Sequence, residues 1–308
     1  MGKDSSSKSR FQFASLGGAL SVGSLLAICG AIAIGLVRGL GPLEQRAASI
    51  ISTAAPRVTI AWPTLPERAD HKQYPDGTWL AEQFQEELLR RASDSLARSG
   101  SDPFGRAALG QLCESMRTSG WFEGTPTVSR RSGGEIHVSG KWRIAAAVVR
   151  DGNRDRLLSW NAQVMPVEYG SGQSGLTIIR GTGSKSPRTP QGQVDYLAVW
   201  PGEDVVAALE LLAVVRQQSW AAQVAGIDVS RFEKTRQLEL LTRTGGRVVW
   251  GGRPSAPLRG ESTTVSKLAK IDRLNRDFRV IDAGRPAVEI FWEAQPLEID
   301  VSATAMKQ

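Results

Sequence analysis

The first pattern along the chain is a run without charged side chains, from residue 11 to residue 37. Arg10 precedes the run and Arg38 follows it. About 20 apolar residues match the hydrocarbon thickness of a bilayer. The alternative is a cleaved signal peptide, which has a shorter apolar core and a small-residue cleavage site. We predict a transmembrane helix over residues 16–40 and a cytoplasmic tail at 1–15, because the short preceding tail is basic.

The next patterns predict a strand and two helices. After a linker at 41–57, alternation over 58–62 indicates a short strand that ends at Pro63. Apolar residues then recur at helical spacing from Thr78 to Ser99 and again from residue 102 to residue 120. Asp102 is a typical N-cap, and Pro103 would occupy the first position of the second helix.

Alternating segments follow these helices. Residues 127–131 and 135–139 flank Gly133-Gly134, which is typical of a hairpin. The remaining pattern predicts a glycine- and proline-rich loop at 181–195 and two helices. The helices are predicted at 203–218 and 262–277. Strands are predicted at 144–149, 157–160, 163–165, 176–179, 224–229, 237–242, 247–250, 280–282 and 288–292. Helices and strands do not alternate regularly, which predicts an α+β fold.

Composition narrows the function classes. The 308 residues carry a net charge of +7 without a dense Lys/Arg block, which does not favour a nucleic-acid surface. The two cysteines, Cys29 and Cys113, lie far apart in the sequence and predict no disulfide framework. With two histidines, the chain has few of the side chains that a histidine-rich zinc site or a histidine-based catalytic triad requires. The nine tryptophans indicate core packing or, alternatively, a groove for a partner.

Candidate catalytic groups each have a structural interpretation that we prefer. Gly181-x-Gly183 lacks the further glycine and helix of a phosphate cradle. The adjacent Glu203 and Asp204 do not face each other on a helix and would instead favour its positive end. Cys113 lies beside Leu112 and is interpreted as a small core residue.

Three further polar residues are predicted to lie on strands. His137 alternates with apolar neighbours and is expected to point outward. Asp228 and Asp282 end predicted strands, where carboxylates usually serve turns. We therefore predict that the chain is not an enzyme and that it has no catalytic residues, no cofactor and no metal site.

The order of these patterns resembles the FtsQ/DivIB family of bacterial cell-division proteins. The matching residues in the first half run from Asp102-Pro-Phe104 through Gly120-Trp121-Phe122, Val128-Ser-Arg130 and Ile136-His-Val138 to Arg143 and Ala147. In the second half, Gly246 to Gly251, Lys267-Leu268 and Arg279 to Asp282 correspond to family motifs. The chain departs from the family at residues 143–147, where the expected proline is absent.

The resemblance implies an architecture and a function. Residues 58–170 would form a β-α-α-β-β POTRA-like domain, and residues 171–308 a mixed β domain with two helices. The chain would be a non-catalytic, single-pass scaffold of the inner membrane, with its bulk in the periplasm, that organises division or septal envelope-synthesis proteins. Its partners would be other membrane division proteins, in particular small coiled-coil ones, with no nucleic acid.

The resemblance also implies a binding site. Partners would add a strand at the predicted edge strand, which Pro286 and Pro296 keep short. The residues of this strand are Val288, Glu289, Ile290, Phe291 and Trp292. Two alternatives remain open: an enzyme that acts on envelope glycan, with Asp228 or Asp282 as its carboxylates, and a POTRA adaptor for outer-membrane protein assembly.

Overall fold

The computed structural model describes residues 56–64, 77–100 and 102–292. The predicted tail at 1–15 and the predicted transmembrane helix at 16–40 lie outside the described residues, as does nearly all of the linker. The described chain forms a three-stranded sheet and an eight-stranded sheet, each with helices.

The first half of the chain builds the small sheet in the order β1-β3-β2. β1 runs parallel to β3, and β2 pairs with β3 in an antiparallel hairpin. Two amphipathic helices connect β1 to this hairpin, a crossover long enough for parallel pairing. The elements are β1 (Arg57–Ile60), α1 (Glu82–Ala97), α2 (Arg106–Arg117), β2 (Thr127–Arg131) and β3 (Glu135–Ser139).

The large sheet has the order β11-β10-β9-β8-β7-β4-β5-β6. It is mixed, because the β4/β7, β7/β8 and β10/β11 pairs are parallel and its other pairs are antiparallel. Its strands are β4 (Ala145–Asp151), β5 (Arg154–Ser159), β6 (Val164–Gly170), β7 (Ile178–Arg180), β8 (Val224–Asp228), β9 (Leu238–Thr242), β10 (Arg247–Gly251) and β11 (Val288–Glu289). Its helices are α3 (Glu203–Val215), α4 (Phe232–Thr235) and α5 (Thr264–Phe278), with a 3₁₀ turn at Ala221–Gln223.

The large sheet separates two hydrophobic cores. One face packs against α3 and α5, as shown by the buried Val149, Ile227 and Leu212 of that core. The opposite face, on the β4–β7 side, packs against α1, α2 and the small sheet. Val148 of β4 and Leu112 of α2 are completely buried in this second core. β4 therefore contributes to both cores through alternate residues, as a strand between two layers must.

The fold class predicted from the sequence is wrong as a whole. The α+β class holds, but the prediction included a transmembrane helix. In the part of the chain that the structure covers, no helix has both the length and the apolar character needed to cross a bilayer. The predicted partition into a POTRA-like and a β domain placed β4, β5 and β6 in the first domain, whereas they share one sheet with the strands after residue 171.

Individual elements agree more closely with the sequence patterns. The hairpin at 127–131 and 135–139 is confirmed with both sets of bounds. The strand predicted at 280–282 is wrong, because these residues form a turn. Asp102 does not cap α2, which begins at Arg106 after Gly105. The Asp102 carboxylate instead accepts a hydrogen bond from the Phe104 N–H at 3.2 Å, which is a local turn contact.

The shared sheet predicts that the chain does not divide at residue 170. A fragment of residues 171–292 loses β4 and β5, so β7 loses one of its two neighbouring strands and the core under α3 and α5 loses Val149 and Leu158. We expect this fragment to show no cooperative thermal unfolding by circular dichroism, whereas residues 56–292 unfold cooperatively. A cooperative transition in the short fragment would contradict the two-core architecture.

Candidate partner-binding edge

β11 is the outermost strand at one edge of the large sheet. It runs parallel to β10, with Val288 beside Val248 and Glu289 beside Val249. The predicted strand covers 288–292, but regular pairing includes only the first two residues. β10 is irregular after Val249, where Gly251 adopts a φ of 95° and its pairing with β9 shifts. This bulge ends the regular ladder early.

The five residues of the predicted edge strand have different surroundings. Val288, Ile290 and Phe291 are buried within the chain. Glu289 is exposed, and the side chain of Trp292 is 47% exposed to solvent. A partner at this edge would therefore contact Glu289 and Trp292, while the three buried side chains hold the strand on the sheet.

Among residues 56–64, 77–100 and 102–292, backbone hydrogen bonds show which side of β11 has no neighbouring strand. The Arg247 N–H donates to the Pro286 carbonyl at 3.1 Å, and the Ile290 N–H donates to the Val249 carbonyl at 3.3 Å. Alternate residues of a strand direct their backbone groups to opposite sides. The N–H and C=O of Glu289, between these contacts, consequently face away from β10.

Lys270 of α5 attaches the residues after β11 to the helix. Its Nζ donates to the Ile290 carbonyl at 3.0 Å, the Trp292 carbonyl at 2.5 Å and Ser262 Oγ at 2.9 Å. Three acceptors match the three donors of an ammonium group. Lys270 therefore helps to hold residues 290–292 where the regular ladder has ended.

A buried ion pair positions the loop beside this segment. Lys267 Nζ lies 3.0 Å from Glu261 Oε2, and the two side chains are only 2% and 1% exposed. Glu261 also accepts the N–H groups of Gly252 at 2.7 Å and Leu258 at 3.0 Å. Burial lowers the pKa of Lys267, and the Glu261 carboxylate opposes that shift. Lys267 also lies 5.0 Å from the centre of the Trp250 ring.

The positioned loop closes part of the β11 edge. The Ser262 N–H donates to the Phe291 carbonyl at 2.7 Å, and Glu261 forms an antiparallel bridge with Trp292. The outer side of residues 291–292 is thus paired with the chain itself. The stretch that faces outward is 287–289.

The turn before β11 is organised by Asp282, which is 1% exposed. Its carboxylate accepts hydrogen bonds from the hydroxyl of Thr242 at 2.5 Å, from the hydroxyl of Thr244 and from the Gly284 N–H at 2.9 Å. Burial alone would raise the pKa of Asp282, but these hydrogen bonds outweigh it and the pKa is lowered. Asp282 therefore ties the β9–β10 turn to the turn that leads into β11.

Asp228 lies away from Asp282. It is in register with Glu239 near the start of β9, whereas Asp282 contacts Thr242 at its end. Asp228 accepts from Arg180 Nε at 2.8 Å and from the Ser230 N–H at 2.9 Å. The two carboxylates that a glycan-acting enzyme would need are not brought together.

Glu203 and Asp204 have separate partners in the first turn of α3. The Asp204 carboxylate accepts from the Gly183 N–H at 3.0 Å, and Glu203 pairs with Arg236 at 2.5 Å. A cleft of about 370 Å³ lies beside these residues. The Gly181-x-Gly183 loop is consequently held by a carboxylate of the chain.

The other predicted residues are only partly buried. His137 is half-buried, and its Nδ1 lies 3.1 Å from Thr59 Oγ1 of the neighbouring strand. Cys113 is half-buried rather than a core residue, and burial raises the pKa of its thiol. Across 56–64, 77–100 and 102–292, the structure contains no cluster of three or more His, Cys, Asp or Glu side chains placed to hold a metal ion.

The sequence patterns missed the residues that build the edge. The helical spacing over 262–277 puts Val265 on one face with Leu268, Ile271 and Leu274 and so predicts that it points inward, but Val265 is 77% exposed and Lys267 is buried instead. Lys267 recurs with the buried Ile271 and Leu274 at helical spacing, and this was the available signal. A lysine on an apolar face is easily assigned to the surface, since lysine is almost never fully buried without a partner.

No protein-family model matches this chain, and no curated protein matches it. The resemblance to FtsQ/DivIB therefore stays a prediction, together with the partners and the location that it implies.

The buried ion pair gives a stability prediction. Lys267→Met leaves the Glu261 carboxylate buried without its cation, and we expect a loss of about 3–5 kcal/mol in the free energy of unfolding by urea. The double variant Glu261→Gln with Lys267→Met should recover part of this loss. As a control, Arg90→Ala breaks an exposed ion pair with Asp94 and should cost less than about 1 kcal/mol. If Lys267→Met and Arg90→Ala lowered the free energy of unfolding equally, the role assigned to the buried ion pair would be contradicted.

Asp282 gives a pH prediction. Its pKa is lower in the folded chain, so its contribution is present above the unfolded value, near 3.8, and is lost as the pH falls through the folded value. Asp282→Asn should cost about 1–3 kcal/mol at pH 7. The difference between wild type and variant should shrink as the pH falls below 3.8 in urea unfolding. A difference that grows with acidity would contradict this assignment.

Proposed function

We propose that this chain is a non-catalytic scaffold of the bacterial envelope. It recruits cell-division or septal envelope-synthesis proteins on the extracytoplasmic side of the inner membrane. The partner adds a short strand at the outer side of β11. This proposal follows the resemblance to the FtsQ/DivIB family and commits to one binding edge.

The outward backbone of Glu289 is the observation that carries the proposal. Its N–H and C=O face away from β10, while the flanking Val288 and Ile290 are buried and hold the strand in place. Outward backbone groups on a fixed edge strand are a template for a strand from another chain. The half-exposed ring of Trp292 lies next to this edge and offers apolar contact.

The distribution of carboxylates supports binding over catalysis. Asp228 and Asp282 contact different parts of β9, and each accepts hydrogen bonds from the chain's own groups. A glycosidase needs two carboxylates on either side of one bond. The arrangement of these two residues does not favour that chemistry.

Removing the end of the chain would test the proposal poorly. A deletion from residue 286 onward also removes the buried Val288, Ile290 and Phe291. Loss of partner recruitment would then report unfolding as readily as loss of a binding edge. A single substitution that acts only on the outer side of β11 separates the two effects.

Glu289→Pro is that substitution. Proline removes the outward N–H and is tolerated on an edge strand whose N–H faces away from its neighbour. We expect wild-type melting behaviour and a loss of division proteins from complexes co-purified from solubilised membranes. The matched control is Glu289→Ala, which keeps the backbone donor and should retain at least part of the recruitment.

Recruitment by a folded Glu289→Pro variant at the wild-type level would overturn strand addition at β11. Recovery of outer-membrane barrel proteins or their chaperones in place of division proteins would overturn the scaffold assignment in favour of the assembly adaptor.

A further inference from the structure

We propose that Glu289 selects the incoming strand by charge. The β11 edge accepts an extended segment that places Lys or Arg beside Glu289, and it rejects a second copy of β11. This inference rests on the proposed strand addition and adds the chemistry of the partner.

The open edge is too short for backbone bonds alone to select a partner. Pro286 faces β10 through its carbonyl, and the Phe291 carbonyl is already paired with Ser262. Residues 287–290 lie between these contacts, and the Ile290 N–H already donates to Val249 of β10. The remaining stretch, 287–289, leaves about two or three backbone hydrogen bonds for an added strand. Backbone bonds do not distinguish sequences, so the side chains beside the edge must do so.

Glu289 carries the charge at this edge. It lies in register with Val249 of β10, which in turn lies beside Glu239 of β9. Glu239 already has two cations, Arg231 and Arg247, each at 3.4 Å. In the described chain, no ion pair involves the Glu289 carboxylate. A cation on the added strand would give the carboxylate such a partner.

A second copy of the chain would bring the wrong charge. Two identical strands that pair antiparallel about a two-fold axis at Glu289 place the two carboxylates side by side. Like charges directly opposite each other destabilise a strand pair, and opposite charges stabilise it. The same carboxylate thus disfavours self-association and favours a basic partner strand, consistent with the use of charged residues on exposed edges.

The test uses a second copy whose edge charge has been reversed. The probe is the Glu289→Lys variant, titrated without label into ¹⁵N-labelled wild-type protein up to about 1 mM, the range expected for a short edge. Shifts of the Glu289 amide in the labelled protein report binding at β11. The matched control probe is the Glu289→Gln variant, whose side chain has a similar size and no charge.

We expect the Glu289→Lys probe to bind more tightly than the Glu289→Gln control, by up to about fivefold, the factor for one good cross-strand charge pair. The preference should fall at about 1 M salt. ¹⁵N-labelled Glu289→Pro protein should show no shifts at β11 with either probe, which places the interaction at the outer side of that strand.

Equal affinity of the two probes, or no shift with either, would overturn selection by charge. Strong self-association of wild-type protein would also overturn it. Strand addition itself is judged separately, by recruitment in the Glu289→Pro and Glu289→Ala variants. Charge selection can therefore fail while the proposed function stands.

Discussion

The parallel pairing of β4 with β7 is the constraint on which the rest of the structure depends. Val148 lies beside Ile178, and its N–H donates to the Thr177 carbonyl at 3.0 Å. Both residues face the core shared with the small sheet, while their neighbours Val149 and Ile179 face the core under α3 and α5. One strand pair therefore joins the two halves of the chain through hydrogen bonds and through both hydrophobic cores.

The sequence predicted local elements better than their assembly. The Gly133-Gly134 turn indicated the β2–β3 hairpin because the turn and the alternating strands lie within a few residues of each other. The pairing of β4 with β7 joins strands that are separated in the chain by β5, β6 and a polar turn, and no local pattern encodes it. The boundary that the resemblance implies after residue 170 therefore falls between two strands of one sheet, β6 and β7.

At the candidate edge, too, the sequence predicted the local element but not how it is assembled. Alternation and two prolines were sufficient to predict a short strand near Val288, but not which of its groups face outward. The facing of Glu289 depends on its pairing with β10, and the closure of residues 291–292 depends on Glu261 and Lys267, which form a pair only because α5 turns the lysine inward. Ion pairs of this kind are formed by the fold, so a single sequence shows them only as separate charges.

The position of β11 in chain order has a consequence for how the protein is made. It is the last of the described strands to leave the ribosome, yet it forms the outer edge of a sheet whose other strands are already synthesised. Until Val288 has been synthesised, β10 is the edge strand of the large sheet, and the backbone groups that face outward are those of β10. A nascent or truncated chain thus lacks the proposed docking strand. Partner binding at β11 would then report that synthesis has passed this strand.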